Sequence, residues 1–382
     1  MEATLPNIVY RSESAPGFLM RDALLTDDEQ LTALIAEAMP SNGMILSFDR
    51  APSYFQATRT LYTQPEIKVL VMDDQPDRII GMVNFGWKDC YINGQHSTIR
   101  YVADLRLRSK ARGQNTLDII VEYLYQNVPR ESFYESVVLN DNLMARHVLH
   151  RPREKFPVPF MYDDITTYTI SKVKPPASNL NLRIQTMDET WIERVNQFVD
   201  ALKDDFNFLP TYDFNQLKEG NHHYWKGMQL SDFSVVLNPE NEIVGLFGLW
   251  NQKSFKQTRV KKYSLSLKLL RPFYNAWAKQ TGQLLLPKEQ DSFDYLMLHS
   301  ALCKPSNVEV YQYILYQAYI QMKQRNKNAF CTTLAHKDPR ITAMKDVKAH
   351  VMHATHGLHS YETDAYQYFD QDKISYFEVG RI

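Results

Sequence analysis

Apolar residues in the first half of the chain change between the spacing of strands and the spacing of helices. Alternating or continuous apolar runs between turn residues indicate strands, and apolar residues three or four positions apart indicate helices. The predicted strands cover 18–24, 67–72 and 78–87 and begin again near Thr98, and the predicted helices cover 26–38 and 53–61. Thr26 to Glu29 form a predicted capping box, and Asn93-Gly94 predicts a hairpin turn. The pattern therefore predicts a fold of mixed α/β class (α+β), in which helices accompany a mixed sheet.

The segment from Thr98 to Asn127 predicts an anion site. Residues 102–107 suit a buried strand, and the apolar residues of 117–125 recur with helical spacing. The basic, glycine-containing turn over 108–116 would then lie at the N terminus of a helix. Free backbone N–H groups and the helix dipole favour a phosphate group at such a position.

Residues 112–117 of that turn have the sequence Arg-Gly-Gln-Asn-Thr-Leu. They resemble the pyrophosphate turn of the GNAT superfamily of acyl-CoA N-acyltransferases, whose usual pattern is Q/R-x-x-G-x-G/A. A strand is predicted over 132–139, and the stretch 142–149 after it is similar to the family's N-x-x-A-x-x-x-Tyr motif. The departures are Asn115 and Leu117 at the glycine positions of the turn and Leu149 at the position of the tyrosine.

The resemblance implies that acetyl-CoA or another acyl-CoA is bound as co-substrate and that its acyl group passes to an amine. The residues that the family's motif places in cofactor binding are Leu105, Arg106, Leu107, Arg112, Gly113, Gln114, Asn115, Thr116 and Asn142. Asn142 could instead cap its helix. The acceptor is expected to be a small-molecule or peptide amine.

Three residues are candidates for proton transfer. Asp104 lies on the strand that would present backbone N–H groups to the thioester, so it is the first candidate for the base. Its alternative role is an ion pair with Arg106 or Arg108. His147 and His150 could donate the proton that the family's tyrosine would supply, or they could be surface histidines of a helix.

Two adjacent prolines between Lys172 and Asn179 predict a linker over 173–179 between domains 1–172 and 180–382. The second half repeats the order of the first, which predicts two tandem GNAT-like lobes. Its predicted strands cover 182–184, 233–237, 243–250, 295–302 and 329–334, and its predicted helices cover 189–202 and 308–323. The turn after Cys303 contains Pro305 and no glycine. The second lobe is therefore expected to be a degenerate copy that supports the fold, shapes the substrate cleft or joins the lobes.

Composition and charge fit a globular protein of the cytoplasm. The chain has 382 residues and a net charge of -1, which does not favour nucleic acid or a membrane as a general partner. Three cysteines without a C-x-x-C pair argue against a disulfide scaffold and favour a reducing compartment. No apolar run reaches membrane-spanning length, and the N terminus lacks the pattern of a signal peptide.

The sequence leaves other functions open. The departures at Asn115, Leu117 and Leu149 fit a catalytically inactive coenzyme A-binding or regulatory protein. The segment from Asn251 to Gln280 contains eight Lys or Arg residues and no acid. It could bind an anionic partner, but a solvated connection is expected, so neither nucleic acid nor an anionic membrane is expected as a partner.

The histidines from His350 to His359 suggest a metal site, because a spacing of three would put His350 and His353 near each other on a helix. No metal is expected, because a spacing of three drifts around a helix and no catalytic zinc motif accompanies the run. The length of the acyl chain and the oligomeric state stay open.

Overall fold

The computed structural model describes residues 7–12, 15–37, 39–41, 43–111, 116–149, 154–176, 180–220 and 222–382. In the first half the strands are β1 (Ile8–Arg11), β2 (Phe18–Asp22), β3 (Met39–Ser41), β4 (Met44–Asp49), β5 (Ile67–Met72), β6 (Gln75–Asn84), β7 (Trp87–Ile92), β8 (Gln95–Tyr101), β9 (Ala103–Leu107), β10 (Tyr134–Leu139) and β11 (Val158–Val173). The helices of this half are α1 (Asp28–Ile35), α2 (Tyr54–Thr58), α3 (Thr116–Asn127) and α4 (Leu143–Leu149).

In the second half the strands are β12 (Arg183–Thr186), β13 (Phe206–Asn207), β14 (Leu209–Pro210), β15 (Phe233–Leu237), β16 (Ile243–Trp250), β17 (Gln257–Tyr263), β18 (Tyr295–Leu302), β19 (Ala329–Ala335), β20 (Val347–Ser360) and β21 (Ile374–Ser375). The helices of this half are α5 (Ile192–Ala201), α6 (Leu265–Thr281), α7 (Val308–Gln324) and α8 (Ala365–Tyr368). None of the helices in the described ranges has the length and apolar character that a bilayer crossing requires.

Several elements form where the apolar pattern predicts them. The strands β5, β15, β16 and β18 begin and end at the predicted residues. Helix α3 buries Ile119, Ile120 and Leu124 in the core of the first half, as their helical spacing requires. The hairpin of β7 and β8 turns at Asn93 and Gly94, whose φ angles are 52° and 80°. Asparagine and glycine tolerate this left-handed geometry better than other residues.

Three local predictions are wrong. Helix α1 follows a short 3-10 turn over Leu25–Asp27. Asp27, and not Glu29, accepts a hydrogen bond from the Leu24 N–H, at 2.7 Å. The predicted strand 78–87 is two strands, because β6 ends at Asn84 and Trp87 begins β7. The histidine run lies in strand β20 and not in a helix, since it pairs with β10 on one side and β11 on the other.

A mixed sheet of 11 strands runs through both halves of the described chain. Its order is β12-β15-β16-β18-β19-β11-β20-β10-β8-β7-β14. Strand β11 of the first half therefore lies between β19 and β20 of the second half. The other sheets have the orders β1-β2-β5-β6-β9 and β17-β4-β3, with a short pair of β13 and β21. Backbone hydrogen bonds thus join the two halves.

The predicted linker lies directly after this shared strand. Strand β11 ends at Val173, and residues 174–176 have no regular structure. Residues 177–179 lie outside the described residues. The division into domains 1–172 and 180–382 stays a prediction.

Candidate functional site

Strands β9 and β10 separate and leave a gap in the sheet. Strand β8 pairs with β10 in parallel only at Arg100↔Tyr134 and Tyr101↔Glu135. The Val102 N–H donates to the Glu135 carbonyl at 2.8 Å. Beyond this point β9 stays paired with β6, and β10 stays paired with β20. The space between β9 and β10 is called the strand gap below.

A β-bulge in β9 lies at the strand gap. Leu107 pairs with Gly81 and Arg106 with Met82, but the next pair is Ala103 with Asn84. Asp104 and Leu105 therefore both lie across from one residue, Val83. Asp104 has a φ angle of 54°, which is uncommon for a residue other than glycine. A bulge leaves one residue without a regular ladder partner and redirects the backbone, so this segment of β9 can present its polar groups to a ligand.

On the side of α3, the strand gap opens into a cleft of about 430 Å³ that includes its open mouth. This helix-side cleft is mostly apolar. Its apolar lining consists of Val83, Phe85, Val102, Leu105, Leu117, Ile120, Val121, Leu124, Leu149 and Phe156. Its polar lining consists of Tyr134, Ser136 and His359. Clefts of this kind, with few polar groups on an apolar wall, are typical of small-molecule sites.

The polar groups of the helix-side cleft are packed together. Ser136 Oγ and His359 Nε2 are 2.9 Å apart, and the His359 ring stacks on Tyr134 with 5.8 Å between centroids. Gly357, opposite Ser136 in the β10–β20 ladder, makes this approach possible. A Cβ atom at Gly357 would lie 2.9 Å from Ser136 Oγ and 3.1 Å from His359 Nε2. Residues of β10 and β20 thus place two hydroxyl groups and an imidazole beside the strand gap.

On the opposite side of the sheet lies a second pocket, formed by residues of both halves. It encloses about 470 Å³ that includes its open mouth. This interface pocket is lined by Leu61, Lys88, Asp89, Cys90, Ile99, Glu135, Val137, Phe208, Pro210, Tyr224, Tyr376, Phe377, Glu378, Arg381 and Ile382. Side chains alternate between the faces of a strand, so Glu135 and Val137 point into this pocket while Tyr134 and Ser136 point into the helix-side cleft.

A buried charge cluster forms one wall of the interface pocket. Lys88 Nζ lies 3.4 Å from Glu135 Oε2 and 3.3 Å from the centroid of the Tyr101 ring. His356 Nε2 lies 3.3 Å from the other carboxylate oxygen of Glu135. Burial alone would raise the pKa of Glu135, but Lys88 and His356 outweigh it and hold that pKa at about 2. Burial lowers the pKa of Lys88, because its one carboxylate partner does not fully replace water.

Asp104 faces a second polar cluster. The Tyr54 hydroxyl donates to Asp104 Oδ2 at 3.0 Å, and Arg50 Nη2 lies 3.8 Å from Oδ1. Burial, together with the charge of Asp104, raises the pKa of Tyr54 well above its ordinary value. Burial and the charge of Arg50 lower the pKa of Lys256, which interacts with Asp104 as well. Asp104, in the bulge, therefore has partners directly after β4, in α2 and in the second half of the chain.

These contacts correct the alternative role expected for Asp104. Its ionic partner is Arg50 and not Arg106 or Arg108. Arg108 donates to the Ile79 carbonyl at 2.8 Å and lies 3.9 Å from Glu37. The Arg106 guanidinium donates to the Leu105 carbonyl at 3.1 Å.

Eight of the nine residues predicted to bind the cofactor fall into three groups. Leu105, Arg106 and Leu107 lie on β9 at the strand gap, and the Leu105 side chain lines the helix-side cleft. Thr116 begins α3, where its hydroxyl donates to the Ala111 carbonyl at 2.9 Å. Arg112, Gly113, Gln114 and Asn115 lie outside the described residues.

Of the residues singled out in the motif after β10, only some lie at the helix-side cleft. Asn142 Oδ1 accepts from the Ala145 N–H at 3.1 Å, so this side chain caps α4. Leu149 lines the helix-side cleft, at the position where the family motif has its tyrosine. His147 is exposed on α4 and does not line either pocket. His150 lies outside the described residues.

The second half repeats the bulge and the separation of strands. Strand β18 pairs in parallel with β19 only from Tyr295↔Ala329 to Met297↔Cys331. Opposite β16, Ser300 and Ala301 both lie across from Phe247. Ser300 has a φ angle of 48°, close to that of Asp104.

Protein side chains occupy this second bulge. Glu378 Oε2 accepts a hydrogen bond from the Ser300 N–H at 2.7 Å. Arg340 Nη1 donates to the Ala301 carbonyl at 3.1 Å, while its guanidinium is bound by Asp338 at 2.6 Å. Glu378 and Arg340 are both buried. Two backbone groups that could face a ligand in the second half are therefore bound by the protein itself.

Within the described part of the chain there is no cluster of three or more side chains that could hold a metal ion. On strand β20, a spacing of three sends successive histidines to opposite faces. His356 accordingly lies beside Glu135 on the interface side, and His359 lies beside Ser136 on the helix side.

Several residues of the site are not predicted from the sequence. His359 belongs to a conspicuous histidine run, but only the strand pairing of β20 places it in the cleft. Tyr54, Arg50 and Lys256 are distant from Asp104 in sequence and carry no motif. Tyr134 and Ser136 carry a signal, because the alternation of side chains on β10 puts them on the same face.

Two solved structures have the same overall fold over nearly the whole chain. N-myristoyltransferase of Saccharomyces cerevisiae, solved with bound myristoyl-CoA, is 9% identical in sequence with a TM-score of 0.56. That likeness covers 95% of this chain and 90% of the yeast chain. A GCN5-related N-acetyltransferase from Sphaerobacter thermophilus is 10% identical with a TM-score of 0.56, over 95% of this chain and 100% of that chain.

No protein-family model and no curated protein sequence matches the chain. The fold is that of these two acyltransferases, the second of which is a GCN5-related N-acetyltransferase. The resemblance drawn from the sequence is therefore confirmed for the fold.

Proposed function

We propose that the protein is an acyl-CoA N-acyltransferase whose first lobe binds the acyl-CoA in the helix-side cleft. The observation that carries this proposal is the bulge at Asp104 and Leu105, which lies where β9 and β10 separate and where the apolar cleft begins. Backbone N–H groups of a bulged strand can stabilise the negative charge that develops on a thioester oxygen. The myristoyl-CoA bound to the yeast structure of the same fold supports this type of co-substrate.

The acceptor amine enters, in this proposal, from the interface pocket on the other side of the sheet. Its nitrogen attacks the thioester carbon, the new C–N bond forms, and the C–S bond breaks. Asp104 accepts the proton of the amine, directly or through water. The sulfur of coenzyme A leaves as a thiolate and takes up a proton on the helix side.

Three polar residues of the helix-side cleft, Tyr134, Ser136 and His359, are candidates to supply that proton. They replace His147 as the preferred donors, because His147 is exposed and away from the cleft. We further propose that the second lobe, over 180–382, is a degenerate copy of the first. Glu378 and Arg340 occupy its bulge. The Ser300 N–H and the Ala301 carbonyl are therefore already hydrogen-bonded and would not be available to a second acyl-CoA.

Calorimetric titration with acetyl-CoA tests the first half of the proposal. The wild-type chain should bind, and Leu117→Trp, which adds bulk to the lining of the helix-side cleft, should weaken binding at least about tenfold. Leu25→Trp is the matched control, since Leu25 is 76% exposed and away from the cleft. Equal binding by both variants, or none by the wild type, would refute the assignment of the cleft.

Release of coenzyme A thiol in the presence of amines and of peptides with a free N terminus tests catalysis. Asp104→Asn should lower the rate at least about a hundredfold while acetyl-CoA still binds. Binding of acetyl-CoA without thiol release against any amine would favour the alternative, a coenzyme A-binding protein without catalytic activity.

A further inference from the structure

Helix α6 presents a row of apolar side chains to solvent. Leu265, Leu269, Phe273 and Trp277 follow each other at intervals of four residues and therefore share one face. They are 76%, 66%, 75% and 49% exposed, and Leu270 beside them is 59% exposed. Contiguous exposed apolar surface of this kind is rare on soluble monomers and marks a site of interaction. This apolar face is called the α6 face below.

The opposite side of α6 is hydrogen-bonded to the segment that follows the helix. The Tyr274 hydroxyl donates to the Leu284 carbonyl at 3.1 Å. The Asn275 amide donates to the Leu286 carbonyl at 2.8 Å and accepts from the Leu286 N–H at 2.9 Å. Ala278 is fully buried on this side. The α6 face is therefore on the side of the helix that points away from these contacts.

Both ends of α6 are capped as well. Ser264 Oγ accepts a hydrogen bond from the Leu267 N–H at 3.3 Å at the N terminus. Gly282 ends the helix in the left-handed conformation, with a φ angle of 71°, and its N–H donates to the Ala278 carbonyl. Caps of both types satisfy backbone groups that a helix end would otherwise leave without partners.

Basic residues flank the α6 face. Helix α6 itself contains Lys268, Arg271 and Lys279 and no acid. Glu289 binds Lys268 at 2.6 Å and also interacts electrostatically with Lys262, while Lys279 is exposed and forms no ion pair within the described chain. The apolar face therefore has a rim of net positive charge.

We propose that the α6 face docks on an anionic lipid surface, with the helix in the plane of the membrane. A helix with an apolar face and basic flanks inserts its apolar residues at the boundary of headgroups and acyl chains, and its Lys residues bind anionic headgroups. The 17 residues of α6 span about 25 Å, which is less than the roughly 30 Å of a bilayer core. The helix therefore lies on the bilayer and does not cross it.

The charges distinguish this partner from a second copy of the chain. A symmetric dimer brings the same surface of both subunits together. Contact through the α6 face would then place Lys262 and Lys279 of one copy against the same basic rim of the other. A neutral bilayer would cover the apolar side chains but leave the positive charges without partners.

Flotation of the full chain with vesicles tests the proposal. Vesicles of phosphatidylcholine with about 30% phosphatidylserine should bind the protein at low salt, and phosphatidylcholine alone should not. Leu269→Asn with Phe273→Asn should lower binding at least about tenfold, because two apolar side chains leave the bilayer. The matched control replaces Leu143 and Met144, which are 73% and 72% exposed on α4, by Asn and should leave binding unchanged.

Lys262→Gln with Lys279→Gln tests the contribution of charge. We expect a loss of about 30-fold in vesicle binding, since each basic residue near an anionic surface contributes roughly fivefold. Lipids brominated in the upper acyl chain should quench the Trp277 fluorescence of the bound protein, and the quenching should be lost in Trp277→Phe.

Four results would overturn the proposal. The first two are no binding to anionic vesicles at low salt, and binding to neutral vesicles as strong as to anionic ones. The third is a loss of binding in the Leu143 and Met144 control as large as in the Leu269 and Phe273 variant. The fourth is a dimer of the wild type in light scattering that only the Leu269 and Phe273 variant abolishes. Titration of the same variants with acetyl-CoA keeps this test separate from the proposed activity, because the α6 face is not part of either pocket.

Discussion

Glu135→Gln is expected to destabilise the fold by removing a buried carboxylate that two partners hold in its charged form. Lys88 and His356 lie 3.4 Å and 3.3 Å from its oxygens. They keep the pKa of Glu135 at about 2, against an ordinary value of 4.5. That difference corresponds to about 3 kcal/mol of stability at neutral pH.

The sign of the pH dependence follows from the depressed pKa. Glu135 contributes its full stabilisation above the ordinary pKa, and the contribution falls as the pH drops towards the folded-state value. The difference in the free energy of unfolding between wild type and Glu135→Gln should therefore shrink below about pH 4.5, and by about pH 3 it should be less than half of its neutral value. The figure of about 3 kcal/mol is an upper one, because Lys88 in the variant can lose its proton.

Urea unfolding followed by circular dichroism at several pH values measures this difference. Glu131→Gln is the control, since it makes the same substitution at an exposed position four residues before Glu135. Adding Lys88→Met to Glu135→Gln should restore part of the stability, because the remaining buried ammonium is removed. A difference below about 1 kcal/mol at pH 7, or one that does not change down to pH 3, would refute the assignment of a charged Glu135 held by two partners.

Three further predictions follow from single contacts. Tyr54→Phe removes the hydroxyl that donates to Asp104 Oδ2 at 3.0 Å, so the release of coenzyme A thiol should slow while acetyl-CoA still binds; an unchanged rate would contradict Asp104 as the base. Lys256→Met should raise stability in urea unfolding, because burial lowers the pKa of Lys256. The amine of Lys256 binds a proton more tightly in the unfolded chain than in the folded one. The stability gained by Lys256→Met should therefore shrink as the pH rises towards 10.5, the ordinary pKa of lysine; a gain that does not change with pH would contradict the burial of the amine. Gly357→Ala should cost about 1–3 kcal/mol and weaken acetyl-CoA binding, since its Cβ would lie 2.9 Å from Ser136 Oγ; a neutral effect in both measurements would show that β20 can move aside.

The sequence predicts the parts of the fold that depend on local pattern. Strands such as 233–237 and 295–302 and helix α3 have apolar residues at the spacing that their burial requires. The hairpin at Asn93-Gly94 has turn residues that suit its left-handed geometry. The position of the bulged strand at Asp104 is predicted by the resemblance to the GNAT family and not by the apolar pattern.

Other parts depend on contacts between distant residues. The pairing of β11 with β19 and β20 leaves no trace in the local pattern of β11. The spacing of three between the histidines of β20 is compatible with a helix, and only pairing on both sides selects the strand. Arg50 and Lys256 come to Asp104 from separate parts of the chain, so an ion pair with nearby Arg106 or Arg108 was the only local alternative.

The position of β11 has a consequence for how the protein can be dissected. Cutting the chain in the proline-containing segment would leave β11 without both of its neighbours, which come from the far side of the cut. Two long strand edges would then be exposed, and unpaired edges of this kind promote aggregation. Separately produced fragments should therefore be insoluble alone and recover only when refolded together, which makes the intact polypeptide the smallest usable unit for biochemistry.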